Sequence, residues 1–565
     1  MYQQEGVMIF DDILVPIPEK KRITKYGSHS KQYVYEIIAR KGKDHPKDVT
    51  VCVGVAVSDT EMHPNEKYYE LHSEISTDKP LPEQNTFDSQ IHLGQSMILR
   101  TSAARTGITG LLKECFPGYS ELIQTLVEYY MVERESAAQL YKYYLYDHYT
   151  ELNYIPNETQ LSRFFCEYMD HEKIQKFKNE WLKQRLNIDP DGRIDIDFDS
   201  TNFNISSGAV EGAEYGKAKV EECLPQINVA YFLERRSGLP VYYDIYYGSI
   251  IDMEHCRRAA EKLRAIKRDT KASFIMDRGY FSQANLNYLE DNGFHYLCMG
   301  KETVPILELI AKTPSTVIEK AENRIYGHYY GIKKTGKVFR ESEKEYFIYL
   351  YYDPSKSVDA VPELQDWVEY GCANIVGKRD KNYGIRNTYG KYAEIETDDD
   401  GVIISAVPNY EYLDRYREIC GYFWIISNED ITAQEALQCY RHRVAVERAF
   451  RNVKTEADLN KMYVSSDHAF EAKSFLAFLC AILRAEITLR LKPYFFQYSS
   501  ETTQTVLKEL EKIKAELLVN KYYLRYELTS RQKQILSFYD IRKDDVLNYV
   551  SKVNETISLC ETGAR

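Results

Sequence analysis

Between Arg193 and Gly300 the chain changes its hydrophobic period several times, and this restricts the fold more than any other feature of the sequence. "RIDIDFD", "INVAYFLER" and "PVYYDIYYG" are strand-like, rich in β-branched and aromatic residues. "MEHCRRAAEKLRAI" has apolar residues at helical spacing, "ASFIMD" reads as a buried strand, and "SQANLNYLEDNG" reads as a helix stopped by Gly293. Strands followed by helix, strand and helix predict an α/β layer arrangement.

The first of these strands carries Asp195, Asp197 and Asp199 at alternate positions, separated by Ile194, Ile196 and Phe198. Side chains of a strand alternate between its faces, so all three carboxylates are expected on one face. Asp199 precedes Ser200 and Thr201, where the strand is expected to end, and ligand-binding residues of open α/β sheets lie at carboxyl ends of strands. Asp195 and Asp197 lie deeper, either paired with cations or lining the same cleft. A second strand-end carboxylate is Asp277. It follows the apolar run Phe274, Ile275 and Met276, and precedes Arg278-Gly279. A structural alternative for Asp277 is a strand-end cap for the following helix.

The third segment is "YRHRVAVERAFRNVK", Tyr440 to Lys454. At about 100° per residue, a helix projects Tyr440, Arg443, Glu447 and Lys454 from one stripe roughly 60° wide. A solvated charged face accounts for the three charges as ion pairs, but not for a tyrosine on the same stripe. Asp199, Asp277 and Glu447 together would make an oxygen-only site suited to Mg²⁺, or Mn²⁺ as its substitute, rather than zinc. Two such ions activate a water or a 3′-hydroxyl and stabilise the leaving oxygen of a phosphodiester. Close carboxylates repel, and a metal makes the cluster tolerable. Arg443 and Lys454 would hold phosphate oxygens, the first in bidentate fashion and the second as a point charge. Tyr440 would donate its hydroxyl to a phosphate.

Composition bounds the setting. The 565 residues include 44% hydrophobic ones, ample for several domains, and carry a formal net charge of -12. That excludes a uniformly basic surface but not a local one, since the electrostatic footprint of a nucleic-acid binder is local. The stretch from Lys20 to Lys47 is one such concentration of lysine and arginine. Eleven cysteines without a C-x-x-C pair are expected to be free thiols in a reducing compartment. The start "MYQQEGVMIFDD" lacks the basic and apolar regions of a signal peptide, and "FLAFLCAIL" is too short to span a bilayer. The expected protein is cytoplasmic, with no membrane partner.

Tyr440, Arg443, Glu447 and Lys454 match Y-x2-R-x3-E-x6-K without gaps. With "DST" at Asp199 and "DRGY" at Asp277, the chain resembles bacterial insertion-sequence transposases of the DDE type. The wording "AEYGKAKVEECLPQINVAYF" and "GLPVYYDIYYGSIIDM" is similar to the same family, and the resemblance covers about residues 95 to 495. It implies an α/β fold with a ribonuclease-H-like core and a β-rich insertion before the glutamate helix. The expected organisation is a basic β-rich region over 1–92 and a helical, DNA-binding region over 93–190. The first half of the core follows over 191–300, the insertion over 301–415 and the second half over 416–495. A charged, peripheral helical region is expected over 496–565. The resemblance also implies that Asp199, Asp277 and Glu447 hold two metal ions and cut DNA at the element ends. Tyr440, Arg443 and Lys454 would bind end phosphates, with Arg448 and Arg451 in the same basic channel. The implied partners are double-stranded DNA, as transposon ends and as target, and a second copy of the chain, because two ends must be paired. The implied location is the bacterial cytoplasm, in association with the nucleoid. Other readings are a tyrosine recombinase suggested by "YRHR", which would leave the carboxylates idle, a non-catalytic regulator, and a nuclease without strand transfer. The first 90 residues show no obvious helix-turn-helix.

Overall fold

The computed structural model describes residues 14–25, 32–41, 47–72, 89–133, 138–152, 156–186, 193–205, 208, 210–215, 224–250, 252–266, 271–325, 327–380, 384–443, 464, 466–518 and 521–561. The chain divides into two compact units, Met1–Thr86 and Phe87–Arg565.

The first unit contains β1 (Val15–Pro16), β2 (Lys21–Lys25), β3 (Gln32–Lys41), β4 (Lys47–Ala56) and β5 (Glu61–Pro64) in one antiparallel sheet of order β1-β5-β4-β3-β2. Val34, Val53, Met62 and Tyr68 form its small core. Its one helix among the described residues, Glu66–Leu71, is capped by Asn65, whose side chain accepts from the Tyr68 N–H.

The second unit begins with β6 (Gln90–His92) and a helical layer that includes Gly94–Thr106, Ile108–Cys115, Ser120–Glu133 and His171–Leu186. The segment from Arg163 to Leu186 is not one continuous α-helix. A π-helical turn ends at Tyr168, and Asp170 accepts from the Lys173 N–H to start the next helix. At the centre lies Asp467–Arg490, which contains "FLAFLCAIL" and is buried nearly all round, as a core helix should be. No helix among the described residues is long and apolar enough to cross a membrane.

An eight-stranded mixed sheet forms the rest of the scaffold. Its strands are β7 (Arg193–Asn204), β8 (Gln226–Glu234), β9 (Pro240–Tyr247), β10 (Lys271–Met276), β11 (His295–Met299), β12 (Tyr330–Lys337), β13 (Glu345–Tyr352) and, beyond the β14 (Ala393–Thr397) and β15 (Ile403–Pro408) hairpin, β16 (Tyr422–Ser427). The order is β12-β13-β16-β11-β10-β7-β8-β9. β7, β10 and β11 are parallel, and the outer pairings are antiparallel. Ile194, Ile196 and Phe198 of β7 pack into one core with helices Asp252–Ile266 and Gln283–Asp291. Phe203 of the opposite parity packs towards the helical layer. The alternation in "RIDIDFD" therefore separates a core face from a charged one.

Two expectations about the flanking regions need correction. Among the described residues the insertion over 301–415 carries more helix than strand, Pro354–Ile375 being the longest, and its β12 and β13 join the main sheet. Trp367, Tyr389, Tyr392 and Tyr412 form a ring cluster within this region. The region over 496–565 is not peripheral. After the central helix it adds β17 (Lys514–Leu518), which pairs with both β6 and β18 (Lys521–Leu524). Val506, Leu507 and Leu510 are fully buried in the core of the helical layer.

Candidate active site

Register brings the two aspartates together. β10 runs parallel to β7 with Lys271 opposite Arg193 and Ile275 opposite Asp197. Two residues further along, Asp277 comes beside Asp199. β7 does not stop at Asp199, as expected, but continues to Asn204, paired with β8. The strand end at this level belongs to β10 alone.

Each carboxylate divides its oxygens between two tasks. Asp199 Oδ1 accepts from the Ser200 N–H at 2.9 Å. Asp277 Oδ1 accepts from the Gly279 N–H, capping the short 3₁₀ turn Arg278–Tyr280. The capping role and the site role of Asp277 thus coexist on different oxygens. Both Oδ2 atoms face Arg443, whose Nη2 lies 2.7 Å from Asp199 and 3.4 Å from Asp277. The Asp199 and Asp277 side chains are 15% and 37% exposed.

Arg443 sits just beyond helix Ala433–Arg441, whose C-cap is His442. The long helix expected through Tyr440 and Lys454 is described only as far as Arg441, with a turn at His442 and Arg443. Arg443 Nη1 donates to the Tyr440 hydroxyl at 3.0 Å, so these two members of the stripe do meet. Burial disfavours the Arg443 charge, but Asp199, Tyr440 and Asp277 more than offset it and hold its pKa above the ordinary value. Burial pushes the Tyr440 hydroxyl up to about 12, against the pull of Arg443. Glu447, Arg448, Arg451 and Lys454 lie outside the described residues. Among the described residues no group of three metal-binding side chains is assembled. The two aspartates nevertheless fit a hard cation, since both aim a carboxylate oxygen at one positive group.

Asp195 and Asp197 take the cation-paired alternative. Arg193 binds Asp195 at 3.1 Å and clamps Glu429 with two nitrogens, at 2.6 and 2.9 Å. Arg235 reaches Asp195 at 3.8 Å and Asp197 at 3.5 Å. Burial raises the Asp197 carboxyl to about 6, although Arg235 pulls it down. Arg235 and Glu429 were not singled out in the sequence. The turn "ERRSG" after a strand was the available signal for the first.

Asp199 and Asp277 open into a cleft of about 820 Å³, with Arg278 and Lys301 on its wall. Ile306, Ile310, Tyr422, Phe423 and Trp424 add largely apolar surface to its lining. Asn228 ties down one rim by donating to the carbonyls of Tyr247, Gly248 and Ile250 at 3.1, 3.2 and 3.1 Å. Gly300 is required by packing, because a Cβ there would lie 2.0 Å from the Trp424 ring.

Residues 190–483, which hold every residue of this site, match the family described as Transposase DDE domain. The chain belongs to that family. The transposase DDE domain so defined runs from just before β7 into the central helix of the helical layer. No curated protein matches the chain. Among solved structures, the chain is similar to the piggyBac transposase in a cryo-EM synaptic complex with hairpin DNA, at 8% identity and a TM-score of 0.32, over 85% of this chain and 80% of that one.

Proposed function

We propose that this chain is the DNA transposase of an insertion sequence, binding the terminal inverted repeats, cutting DNA at the element ends and joining the 3′-hydroxyl ends to target DNA. The observation that carries the proposal is the convergence of Asp199 and Asp277 on one guanidinium nitrogen, within the family-matched segment. The strands β9-β8-β7-β10-β11 are read as the ribonuclease-H-like core that the sequence resemblance implies.

In this reading Asp199, Asp277 and Glu447 hold Mg²⁺ ions, or Mn²⁺ in their place. Such ions, when bound, supply a lowered pKa for the attacking hydroxyl and charge stabilisation at the leaving oxygen. The protein's own part is positioning. The backbone N–H groups of Ser200 and Gly279 fix the two aspartate carboxylates by their Oδ1 atoms, which leaves the Oδ2 atoms directed at Arg443. Tyr440, Arg443 and Lys454, joined by Arg448 and Arg451, bind backbone phosphates and hold the scissile bond at the carboxylates. Two copies of the chain act on paired ends in the bacterial cytoplasm, at the nucleoid.

The test is cleavage of a labelled element-end duplex with Mg²⁺ and with EDTA, by wild type and by Asp199→Asn. Cutting that requires both the metal and Asp199 is expected. A metal-independent covalent protein–DNA adduct would instead establish a tyrosine nucleophile and overturn the reading.

A further inference from the structure

Among the described residues the two Oδ2 atoms have one partner between them. With both Oδ1 atoms held by backbone N–H groups, Arg443 Nη2 satisfies the remaining oxygen of Asp199 and of Asp277. A magnesium ion holds carboxylate oxygens at about 2.0–2.1 Å. The guanidinium nitrogen already lies 2.7 Å from one of these oxygens and 3.4 Å from the other. An ion taking both oxygens therefore needs the guanidinium to withdraw. The rest of the group is equipped for a second position. Nη1 has a neutral hydroxyl as its partner, and the buried Nε has no hydrogen-bond partner among the described residues.

We infer that Arg443 is a resident counter-cation that a divalent metal ion must displace from Asp199 and Asp277, and that its displacement frees the guanidinium for a DNA phosphate. The inference rests on the metal-binding reading of the two aspartates. It makes metal loading and phosphate binding mutually reinforcing, because each favours the state in which Arg443 has left the carboxylates. It also means that the free protein binds metal more weakly than its carboxylates alone would. If the guanidinium leaves the pair in about one molecule in ten, the apparent Kd is raised about tenfold.

The test is a Mn²⁺ titration of the full chain without DNA, followed by electron paramagnetic resonance of the free ion, for wild type, Arg443→Gln, Arg443→Lys and Asp199→Asn. Arg443→Gln is expected to bind Mn²⁺ about tenfold tighter than wild type. It should also melt below wild type in EDTA and gain more in Tm from Mn²⁺. Arg443→Lys, whose shorter arm still carries a cation, is expected between the two, and it serves as the measurement if the Gln variant does not fold. A folded Arg443→Gln with unchanged or weaker Mn²⁺ affinity overturns the inference when Asp199→Asn abolishes binding. If wild type and Arg443→Gln both fail to bind Mn²⁺, or Asp199→Asn binds it as wild type does, the metal-binding reading itself falls, and the inference with it.

Discussion

Asp199→Asn should separate chemistry from folding, and the structure gives the size of each effect. In the metal-free protein, Asp199 is attracted to Arg443 at 2.7 Å and repelled by Asp277, which reaches the same nitrogen at 3.4 Å. At an effective dielectric of about 20, a unit pair with charge centres about 4 Å apart is worth roughly 4 kcal/mol. The two carboxylates, about 6 Å apart, repel by roughly 3 kcal/mol on the same scale. The substitution removes both interactions, so they nearly cancel. Exposure of Asp277 screens the repulsion, and the asparagine amide cannot satisfy both Arg443 and the Ser200 N–H, which costs about 1 kcal/mol more. The net loss is about 2 kcal/mol, a shift of a few degrees in Tm for a unit of this size. Cleavage should fall much further. Losing a ligand that stabilises transition-state charge removes several kcal/mol from the barrier reduction, or at least about 10³-fold in rate. Circular-dichroism melting in EDTA and single-turnover cleavage in Mg²⁺ read the two quantities. Cleavage retained within tenfold would refute the assignment of Asp199. A melting temperature lowered as far as by a core lesion would refute the charge balance at Arg443.

Gly300→Ala should destabilise the larger unit by about 1–3 kcal/mol or more, because its Cβ meets the Trp424 ring at 2.0 Å, and thermal melting at wild-type stability would contradict that packing. Glu128 lies buried beside Arg100, at 2.9 Å, and burial raises its carboxyl to about 7. A carboxyl raised on folding keeps its proton longer in the native state, so stability should decline as pH rises from about 4.5 through 7, by up to roughly 3 kcal/mol. Glu128→Gln should flatten that part of the Tm–pH profile, and an unchanged slope would assign it elsewhere. Glu447→Gln should keep DNA binding and lose cleavage, a Gln variant that cuts normally being the contrary result. In both wild type and that variant, binding should weaken steeply between low and moderate salt through counterion release, which a gel-shift series measures.

The sheet strands around the site were legible because buried strands announce themselves. Ile194, Ile196 and Phe198 alternate, and Phe274 to Met276 run continuously, so the strands could be placed before their neighbours were known. Pairing was less visible. Nothing local in "RIDIDFD" shows that Ile275 lies opposite Asp197, or that β8 holds β7 in strand conformation as far as Asn204. The helices of the insertion were less visible, since only its strand-like stretches, such as that of β13, stand out in the sequence, while Trp367 packs with Tyr389 and Tyr392 in a ring cluster. The charged C-terminal segment hid its buried face because Val506, Leu507 and Leu510 are spaced for a short helix between charges, and only tertiary contact shows that they complete a core.

The three aspartates of β7 share a face but not a fate, and their partners explain why. Asp195 and Asp197 are answered by Arg193 and Arg235, which flank the same strand and the hairpin that follows it. With Glu429 they form an alternating ladder of charge, in which each carboxylate has a cation supplied by the sheet or its turns. Among the described residues Asp199 is answered by Arg443, from a separate segment beyond β16, and it shares that cation with Asp277. Asp199 and Asp277 share one guanidinium and line the cleft, whereas the carboxylates of the ladder do not line it. Of the β7 aspartates, Asp199 is therefore the one that a cation arriving through the cleft meets, since Asp195 and Asp197 do not line it. The alternation of Asp with Ile and Phe sets which face is charged, and the placement of arginines sets which of its members remains open to a ligand.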